Sequence, residues 1–557
     1  MNELSILIGG KAGDGINQSG LLIARLLSQI GYYIYMYFDY PSLIRGGHNF
    51  SIVRASQDKI GTHTEKIDFL LALNSETIDL HKNRLGDNSL IIYDSDSIDL
   101  ESLPESIENY GIPLKKIIKQ EKASPIMRNS SLLGTFSKSI GVKWEITEKV
   151  FKKNILKEVD LNLKLARRGY NESKELIKIE PIQRKVLPIL SGNESIGLGL
   201  INAGLKTYIA YPMTPSSTLL HFLAQLSNDF NLKVIHPENE IAVILMALGF
   251  SYAGERVAIG TSGGGFCLMT EGLSLSGMAE LPVVIVIAQR PGPSTGVPTY
   301  TAQGDLSFAL NAGHGEFIRL VVAPGDTEQA YFWSSFALNI SWKYQIPSII
   351  LTDKTLSEGT YSFDINSIEE IKNLKPLLWD KKGSYKRYLN TENGLSPLAY
   401  VPDKKAIIKV NSYEHDEYGL TTEEPQKIKL MSEKRMRKEK YLNQEIQNYE
   451  PIKVFGDKNS STILLCWGSN KGVCSELGEK FGLKVVQPVI ISPFQLSSFQ
   501  EALKGAKKII SVENNVTGQL SKIISGYGFK IDREILKHDG RPFSLEELES
   551  RLKELEV

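Results

Sequence analysis

The sequence predicts a multi-domain protein of the α/β class. Short apolar runs with the character of buried strands alternate with helical segments, a pattern typical of doubly wound α/β domains. Glycine-rich loops directly follow two of these strands, at residues 9–15 and 261–265. A chain of 557 residues is too long for a single hydrophobic core, so roughly three or four domains are expected.

The composition argues against several classes of protein. Lys plus Arg and Asp plus Glu both number 64, and this balance gives no support for nucleic acid or an anionic membrane as the main partner. Cys267, Cys466 and Cys474 are scattered, so neither a disulfide framework nor a metal or iron–sulfur ligand set is predicted. No apolar run reaches the ~18 residues of a membrane span, and the N-terminal residues do not resemble a signal peptide. The expected location is a reducing cytoplasm.

The first predicted domain is a Rossmann-like α/β unit at 1–175. A helix at 18–30 follows the first glycine loop, and helices near 145–170 close the domain. The linker predicted at 176–192 contains two prolines. The first strand, at 4–8, is expected to be buried and parallel. The other predicted strands of this domain lie at 32–38, 49–54, 69–73 and 90–93.

Two further α/β domains are predicted at 193–380 and 456–557, with a polar connecting segment at 381–455 between them. The charge run at 433–440 indicates a solvated helix or connection rather than an anion site. A helix near 545–555 ends the last domain. The predicted strands of the middle domain lie at 207–210, 233–236, 257–261, 283–288, 318–323 and 348–352.

Glu240 stands at the start of an apolar helix that runs to the glycine at 254. Because this helix is apolar on nearly every side, it is expected to be buried. The helix dipole favours a carboxylate in the first turn, but water is scarce there, so a specific partner is expected. Two interpretations remain open: Glu240 exchanges a proton with a bound heterocycle, or it only caps the helix.

Three loops of the middle domain could line a ligand site at the carboxyl ends of its strands. In loop 211–217, two prolines fix the backbone and hydroxyls such as that of Thr214 precede a helix. Loop 261–265 is rich in glycine and lets a ligand approach the backbone. Loop 288–305 is long and rich in Gly and Pro. Arg290, its only cation, could clamp a carboxylate or brace the loop.

Two loops of the first domain could contact an anion. Loop 9–15 lies between a strand and a helix, where backbone N–H groups hold a phosphate, although a tight turn would explain the same glycines. Asp39 ends the next strand, at the position of a ribose-binding acid in a dinucleotide site. Loop 40–48 combines Arg45 with two flexible glycines and could contact a second anion.

Five short motifs of the chain are more specific together than any one alone. They are Tyr-Pro-Met-Thr-Pro-Ser-Ser at 211–217, Pro-Glu-Asn-Glu-Ile-Ala at 237–242, Thr-Ser-Gly-Gly-Gly at 261–265, Glu-Leu-Pro at 280–282 and Gly-Pro-Ser-Thr-Gly at 292–296. Their combination resembles the α subunit of the 2-oxoacid:ferredoxin oxidoreductases, in the form with a γ domain fused at its N-terminus. The resemblance makes 1–175 the γ domain, 193–380 a pyrimidine-type thiamine diphosphate domain and 456–557 a transketolase C-terminal-like domain.

The resemblance implies an enzyme that converts a 2-oxoacid and coenzyme A to acyl-CoA and CO₂ and reduces ferredoxin. Its cofactor would be thiamine diphosphate, shared with a separate β subunit that carries Mg²⁺ and [4Fe–4S] clusters. This chain has neither cluster cysteines nor a credible Mg²⁺–diphosphate motif. By resemblance, Glu240 hydrogen-bonds the aminopyrimidine of the cofactor, a form of general acid–base catalysis worth roughly 10²–10⁴ in rate. Thr214 would contact the carboxylate or carbonyl of the substrate.

The resemblance also implies further site residues. The implied substrate contacts besides Thr214 are Arg290 and Tyr300. The implied cofactor contacts besides Glu240 are Tyr211, Pro212, Gly263 and Gly264. The implied contacts on the coenzyme A side are Gly13, Ser42, Arg45, Gly46 and Gly47.

The chain departs from the family pattern near the implied substrate site. Many relatives have Pro in place of Gly264, Arg or Lys in place of Tyr300, and Glu in place of Ala302. The loss of a cation should weaken binding of a second carboxylate, so a 2-oxoacid less polar than 2-oxoglutarate is expected. Two alternatives remain: a nucleotide-dependent dehydrogenase that uses loop 9–15 with Asp39, and a non-catalytic structural paralogue.

Overall fold

A computed structural model describes residues 2–42, 46–99 and 107–556. The chain forms two compact units, one of Met1–Leu190, Gly359–Asp364 and Phe543–Val557, the other of Ser191–Glu358 and Ile365–Pro542. In the described part of the chain, helices accompany three sheets built largely from parallel strands, which confirms the predicted α/β class. None of the helices seen there is both long enough and apolar enough to cross a membrane.

The sheet of the first unit is half parallel and half antiparallel. The strand Glu3–Lys11 pairs in parallel with Ile67–Ala72 but antiparallel with His48–Ser56, so the prediction of a purely parallel strand is only half right. The antiparallel pairing of Tyr33–Asp39 with His48–Ser56 follows from loop length, because residues 40–47 are fewer than the dozen or so that a parallel crossover requires. The strands lie in the order Glu108–Ile112, Leu85–Asp94, Ile67–Ala72, Glu3–Lys11, His48–Ser56, Tyr33–Asp39, Thr360–Ser362 and Ile189–Ser191.

The helices of the first unit cover this sheet with apolar faces. Ile16–Gln29 buries Leu22, Ile23 and Leu27 against the strands, and Arg128–Ser139 buries Phe136 against Phe69. The final helix of the described chain belongs to this unit, while the predicted domain boundaries stay predictions. The α-helices are Ile16–Gln29, Ser75–His81, Leu114–Glu121, Arg128–Ser139, Trp144–Asn154, Val159–Asn171 and Leu545–Glu554.

The larger sheet of the second unit positions the candidate site. Its central strand, Val283–Gln289, is buried at every residue and pairs in parallel on both sides, as its continuous apolar sequence predicts. The six strands predicted for the middle domain are all present. The strands lie in the order Ile490–Ser492, Leu320–Val322, Pro347–Asp353, Val283–Gln289, Val257–Thr261, Thr207–Ile209 and Lys233–Ile235.

A five-stranded sheet completes the second unit. Its order is Ile452–Gly456, Lys484–Pro488, Thr462–Cys466, Lys508–Glu513 and Arg533–Leu536. The α-helices of the second unit are Gly192–Asn202, Ser217–Gln225, Ser227–Phe230, Glu240–Tyr252, Gly263–Phe266, Thr270–Ala279, Leu306–Asn311, Thr327–Tyr344, Lys354–Glu358, Pro425–Ile446, Lys471–Phe481, Leu496–Ala502 and Gln519–Gly526.

The charge run at 433–440 differs from the prediction. It lies in the helix Pro425–Ile446, but the side chains of Lys434 and Lys438 are only 0% and 2% exposed. Both lysines contact the carboxylate of Glu280, so this face of the helix is buried by ion pairing. The expectation of a solvated helix is therefore wrong for this face, because the neutralising charge lies far away in the sequence, whereas Glu433, Met436, Glu439 and Lys440 are exposed as expected.

Candidate active site

Glu240 is the first residue of the helix Glu240–Tyr252 and is only 5% exposed. The helix cap is a different residue: the Asn239 side chain accepts a hydrogen bond from the backbone N–H of Ala242 at 2.9 Å. Among the described residues, no hydrogen bond or ion pair reaches the Glu240 carboxylate. Asn239, rather than Glu240, therefore caps the helix, and Glu240 is a buried carboxylate without a partner among the described residues.

Loop 261–265 provides the surface against which Glu240 lies. A Cβ atom added to Gly265 would come within 2.2 Å of the Thr261 hydroxyl oxygen and 2.6 Å of Glu240 Oε1. A Cβ atom at Gly263 would come within 2.2 Å of Asp305 Oδ2. Only glycine fits at these two positions. At Gly264 the nearest atom would be the Ser294 carbonyl oxygen at 3.6 Å, an ordinary van der Waals distance, so a side chain could be accommodated there.

The loop 211–217 lies at the end of the neighbouring strand and is held by two side chains. Arg290 donates a hydrogen bond to the Thr214 carbonyl oxygen at 2.9 Å. Asn193 donates to the Pro215 carbonyl oxygen at 2.9 Å. Arg290 thus makes the bracing contact that the sequence left as one of two possibilities, and this contact brings the loops 211–217 and 288–305 together. Tyr211 and Pro212 of the same loop are exposed.

Asp305 joins this group of residues, although no sequence motif indicated it. Its carboxylate lies beside Gly263, and its backbone N–H is held by the side chain of Gln289 at 2.9 Å. Burial raises the pKa of the Asp305 carboxyl to about 6, while the positive charge of Arg290 opposes the rise. Burial also lowers the pKa of Arg290. Because Asp305 directly precedes an apolar helix, it has the appearance of an ordinary helix-capping acid in the sequence.

Tyr300 lies under a cation from the C-terminal part of the same unit. The guanidinium carbon of Arg541 is 3.7 Å from the centroid of the Tyr300 ring. The expectation of a less polar substrate, which followed from the tyrosine at position 300, stays a prediction. Nothing near position 541 in the sequence indicates this contact.

The glycine loops of the first unit contact each other. The backbone N–H of Ala12 donates to the Gly47 carbonyl oxygen at 3.1 Å, which joins loop 9–15 to loop 40–48. Gly13 and Gly47 have φ angles of 95° and 85°, which side chains other than glycine rarely adopt. Ser42 and Gly46 are exposed, and Arg45 lies outside the described residues. This hydrogen bond places Gly47 of loop 40–48 next to loop 9–15.

Asp39 does not have the surroundings of a ribose-binding acid. It is 4% exposed and accepts a hydrogen bond from the Tyr37 hydroxyl at 2.7 Å. A carboxylate that binds a ribose must be accessible to the ligand. The nucleotide-dependent alternative therefore loses the residue on which it depended.

The helix that carries Glu240 is not buried on every side, contrary to the expectation from its sequence. Ile241 and Leu245 are each 49% exposed, on one face of the helix. With Leu268, which is 50% exposed, they line a groove of about 450 Å³. An apolar helix face of this kind is typical of a surface that another protein covers.

Comparison with known proteins gives consistent matches over the whole chain. Residues 198–434 match the family model described as "Pyruvate flavodoxin/ferredoxin oxidoreductase, thiamine diP-bdg", and residues 5–172 match "Pyruvate ferredoxin/flavodoxin oxidoreductase". The chain is 32% identical to the 2-oxoacid:ferredoxin oxidoreductase subunit alpha of a Sulfolobus species, over 99% of this chain and 96% of the relative. It is 26% identical to the 2-oxoglutarate oxidoreductase subunit KorA of Mycobacterium tuberculosis, over 98% and 91%.

A solved structure matches at the level of the whole fold. It is the 2-oxoglutarate:ferredoxin oxidoreductase from Magnetococcus marinus with 2-oxoglutarate, coenzyme A and succinyl-CoA bound. The TM-score is 0.89 at 29% sequence identity, and the match covers 100% of this chain and 99% of that chain.

Proposed function

The chain belongs to the 2-oxoacid:ferredoxin oxidoreductase family as an α subunit, and we propose that Glu240 is the carboxylate with which it activates thiamine diphosphate. Members of this family are oxidoreductases that act in hetero-oligomers. The observation that carries the proposal is the burial of Glu240 without a partner in the described chain. A cofactor nitrogen would supply the missing hydrogen bond.

The residues around Glu240 fit the aminopyrimidine half of this cofactor. Gly265 lets the Glu240 carboxylate and the Thr261 hydroxyl lie close to the loop backbone, and Gly263 does the same for the carboxylate of Asp305. Thiamine diphosphate, when bound, supplies the carbon nucleophile for decarboxylation of 2-oxoacids. The role of Glu240 is to hold or move a proton at its carboxylate oxygen. Gly264, Tyr211 and Pro212 would line the walls of the cofactor site.

Thr214 and Arg290 would bind the substrate. The Thr214 hydroxyl would contact the carboxylate or carbonyl of the 2-oxoacid. In support, its loop follows the strand Thr207–Ile209, which pairs with Val257–Thr261, the strand that leads into the glycine loop beside Glu240. Arg290 holds that loop through the Thr214 carbonyl oxygen. Its positive charge would also favour a bound carboxylate.

A separate β subunit would complete the site. It would carry Mg²⁺, the diphosphate contacts and the [4Fe–4S] clusters, and would pass electrons to ferredoxin. The exposed apolar face with Ile241, Leu245 and Leu268 supports a protein partner beside Glu240. In the first unit, Gly13, Ser42, Arg45, Gly46 and Gly47 would contribute to the coenzyme A side. The cytoplasmic location predicted from the sequence stays a prediction.

The proposal is tested by co-expressing the chain with its β subunit and following viologen reduction with coenzyme A and a panel of 2-oxoacids. Glu240→Gln should lower kcat by about 10²–10⁴-fold, because the amide cannot take up a proton, while assembly is retained. Glu238→Gln, at an exposed position two residues away, is the matched control. Near-normal turnover of the assembled Glu240→Gln complex would refute the assignment.

The same assay separates the remaining alternatives. A dehydrogenase would bind NAD(P)H tightly and would not need coenzyme A. A non-catalytic paralogue would assemble with the β subunit but show no turnover with any 2-oxoacid.

A further inference from the structure

We propose that the groove beside Glu240 is the docking site for one segment of the β subunit, in which lysine or arginine flanks apolar side chains. The proposal rests on the proposed function, because the β subunit is the partner that would complete the same site. The groove has a volume of about 450 Å³ and lies entirely within the second unit. Ile241, which lines one end of it, directly follows Glu240 in the chain.

One wall of the groove is an apolar helix face that this chain leaves half-exposed. Ile241 and Leu245 lie one turn apart on the helix Glu240–Tyr252. Leu268 lies in the short turn Cys267–Met269 and is exposed to the same extent. Three half-exposed aliphatic side chains that line one groove supply apolar area that a partner can bury, which is the main driving force of protein association.

Two glycines fix the shape of the groove. A Cβ atom at Gly272 would come within 2.6 Å of the Ile244 side chain, and a Cβ atom at Gly277 would come within 2.6 Å of Phe317 Cγ. The helix Thr270–Ala279 therefore packs closely against a residue on each side of it. A groove whose floor is packed in this way is already formed before a partner binds, so little conformational freedom is lost on binding.

The charge of the groove is acidic. Glu271 and Glu316 line it and are exposed, and neither makes a hydrogen bond or ion pair with any residue that the structure describes. Glu414 and Arg435 also line the groove, but they neutralise each other through hydrogen bonds of 2.9 and 2.6 Å. The two unpaired carboxylates therefore set the sign of the charge that a complementary partner carries.

The positions of the two carboxylates predict the spacing of the cations on the partner. Glu271 lies in the first turn of the helix Thr270–Ala279, and Glu316 precedes Phe317, which packs on Gly277 of that helix. Positions 271 and 277 are about 9 Å apart along the helix axis. About two turns of a helix, or about three residues of an extended segment, place two cations at this spacing with apolar side chains between them.

The first test measures the dissociation constant of the co-expressed α–β complex by mass photometry after dilution. Leu245→Ser and Leu268→Ser should each raise this constant by about 10-fold, because each removes apolar area that the partner buries. Leu377→Ser is the matched control, since Leu377 is 49% exposed and does not line the groove. It should change the constant by less than about twofold.

The second test reverses one charge of the groove. Glu271→Lys should raise the dissociation constant by about 3- to 10-fold at about 50 mM NaCl and by less than about twofold at about 500 mM, because salt screens exposed charges. Glu423→Lys, at an exposed position outside the groove, is the matched charge control. A Glu271→Lys complex as stable as this control would overturn the basic character of the partner segment.

The third test identifies the segment that occupies the groove. A photo-crosslinking phenylalanine analogue is placed at position 268 in the assembled complex, and the linked peptides are sequenced by mass spectrometry. We expect a β-subunit peptide in which lysine or arginine flanks apolar residues. A link to a second copy of this chain, or to a β-subunit peptide without cations, would overturn the proposal. Leucine variants that bind the β subunit as tightly as Leu377→Ser would also overturn it.

Failure of the proposed function is distinguishable, because assembly and cross-linking are measured without turnover. A complex that assembles through the groove but reduces no viologen would refute the proposed function and support the docking site. A complex that turns over 2-oxoacids, while its groove variants assemble as well as their controls, would refute the docking site alone. Failure of the two chains to assemble would refute both.

Discussion

Glu240 and Glu280 are two buried glutamates of one unit whose surroundings are opposite. Glu240 is 5% exposed at the start of its helix and has no partner among the described residues. Glu280 is 1% exposed and follows the last turn of the helix Thr270–Ala279. The ammonium nitrogens of Lys434 and Lys438 lie 2.7 and 2.5 Å from its carboxylate oxygens. The same side chain is thus left unpaired in one place and surrounded by cations in the other.

The cations make Glu280 a structural group. Burial alone would raise the pKa of Glu280, but the charges of Lys434, Lys438 and Arg387 hold that pKa well below its usual range. Arg387 also donates to the Glu280 carbonyl oxygen at 2.7 Å, where the helix dipole is negative. The cluster therefore holds the lysine-bearing helix Pro425–Ile446 and the segment with Arg387 against the C-terminal end of the helix Thr270–Ala279. The difference teaches that burial alone does not distinguish Glu240 from a structural carboxylate; the lack of a partner among the described residues does.

The comparison is tested most strongly by the matched variants Glu280→Gln and Glu240→Gln. Glu280→Gln should cost about 3–5 kcal/mol of the free energy of unfolding, because it leaves Lys434 and Lys438 buried without their counter-charge. Glu240→Gln should change that free energy by less than about 1 kcal/mol, since no ion pair is lost. Denaturant unfolding of the purified chain measures both.

A surface pair provides the control for the Glu280 prediction. Lys429 and Glu433 lie 3.8 Å apart on the same helix, with side chains 77% and 56% exposed. Lys429→Met should change the free energy of unfolding by less than about 1 kcal/mol. If Glu280→Gln were as mild as this control, the cluster would not hold the helix, and the contrast with Glu240 would fail.

Asp305 is intermediate between the two glutamates, because a single cation, Arg290, counteracts the effect of burial on its carboxyl group. Its pKa is raised to about 6 from an ordinary 3.8, so the folded state holds the proton more tightly than the unfolded state. Stability should then fall as pH rises from about 4 to 6 and stay constant above that range. The asparagine of Asp305→Asn cannot ionise, so the variant does not lose stability as the pH rises. Its free energy of unfolding should exceed that of the wild type by about 2 kcal/mol at pH 7.5, after allowance for partial exposure.

The Asp305 prediction is checked by unfolding the wild type and the variant at pH 5 and pH 7.5. Asp229→Asn, at an exposed position, is the matched control for the exchange of an aspartate for asparagine. A difference between wild type and Asp305→Asn that does not grow with pH would mean that Arg290 neutralises Asp305 fully. Asp305 would then belong with Glu280 rather than between the two glutamates.

The sequence predicted the local features well and the long-range pairings poorly. The strands of the middle domain and the position of Glu240 at a helix start were predictable, because apolar runs and loop residues act over a few positions. The burial of Lys434 was not, because its partner lies 154 residues away and the surrounding charge run has the pattern of a solvated helix. The exposure of Ile241 was missed for a related reason. Periodicity does not distinguish a core from a surface that another chain covers.

The smallest expected effect separates the position of Glu240 from its chemistry. Asn239 caps the helix through the Ala242 N–H, so Asn239→Ala should cost about 1 kcal/mol of the free energy of unfolding. The carboxylate itself is retained, and its burial depends on packing around Gly265 rather than on the cap. Turnover should therefore fall less than about tenfold, far less than for Glu240→Gln. A loss as large as that of Glu240→Gln would show that the helix start, and not the carboxylate alone, sets the activity.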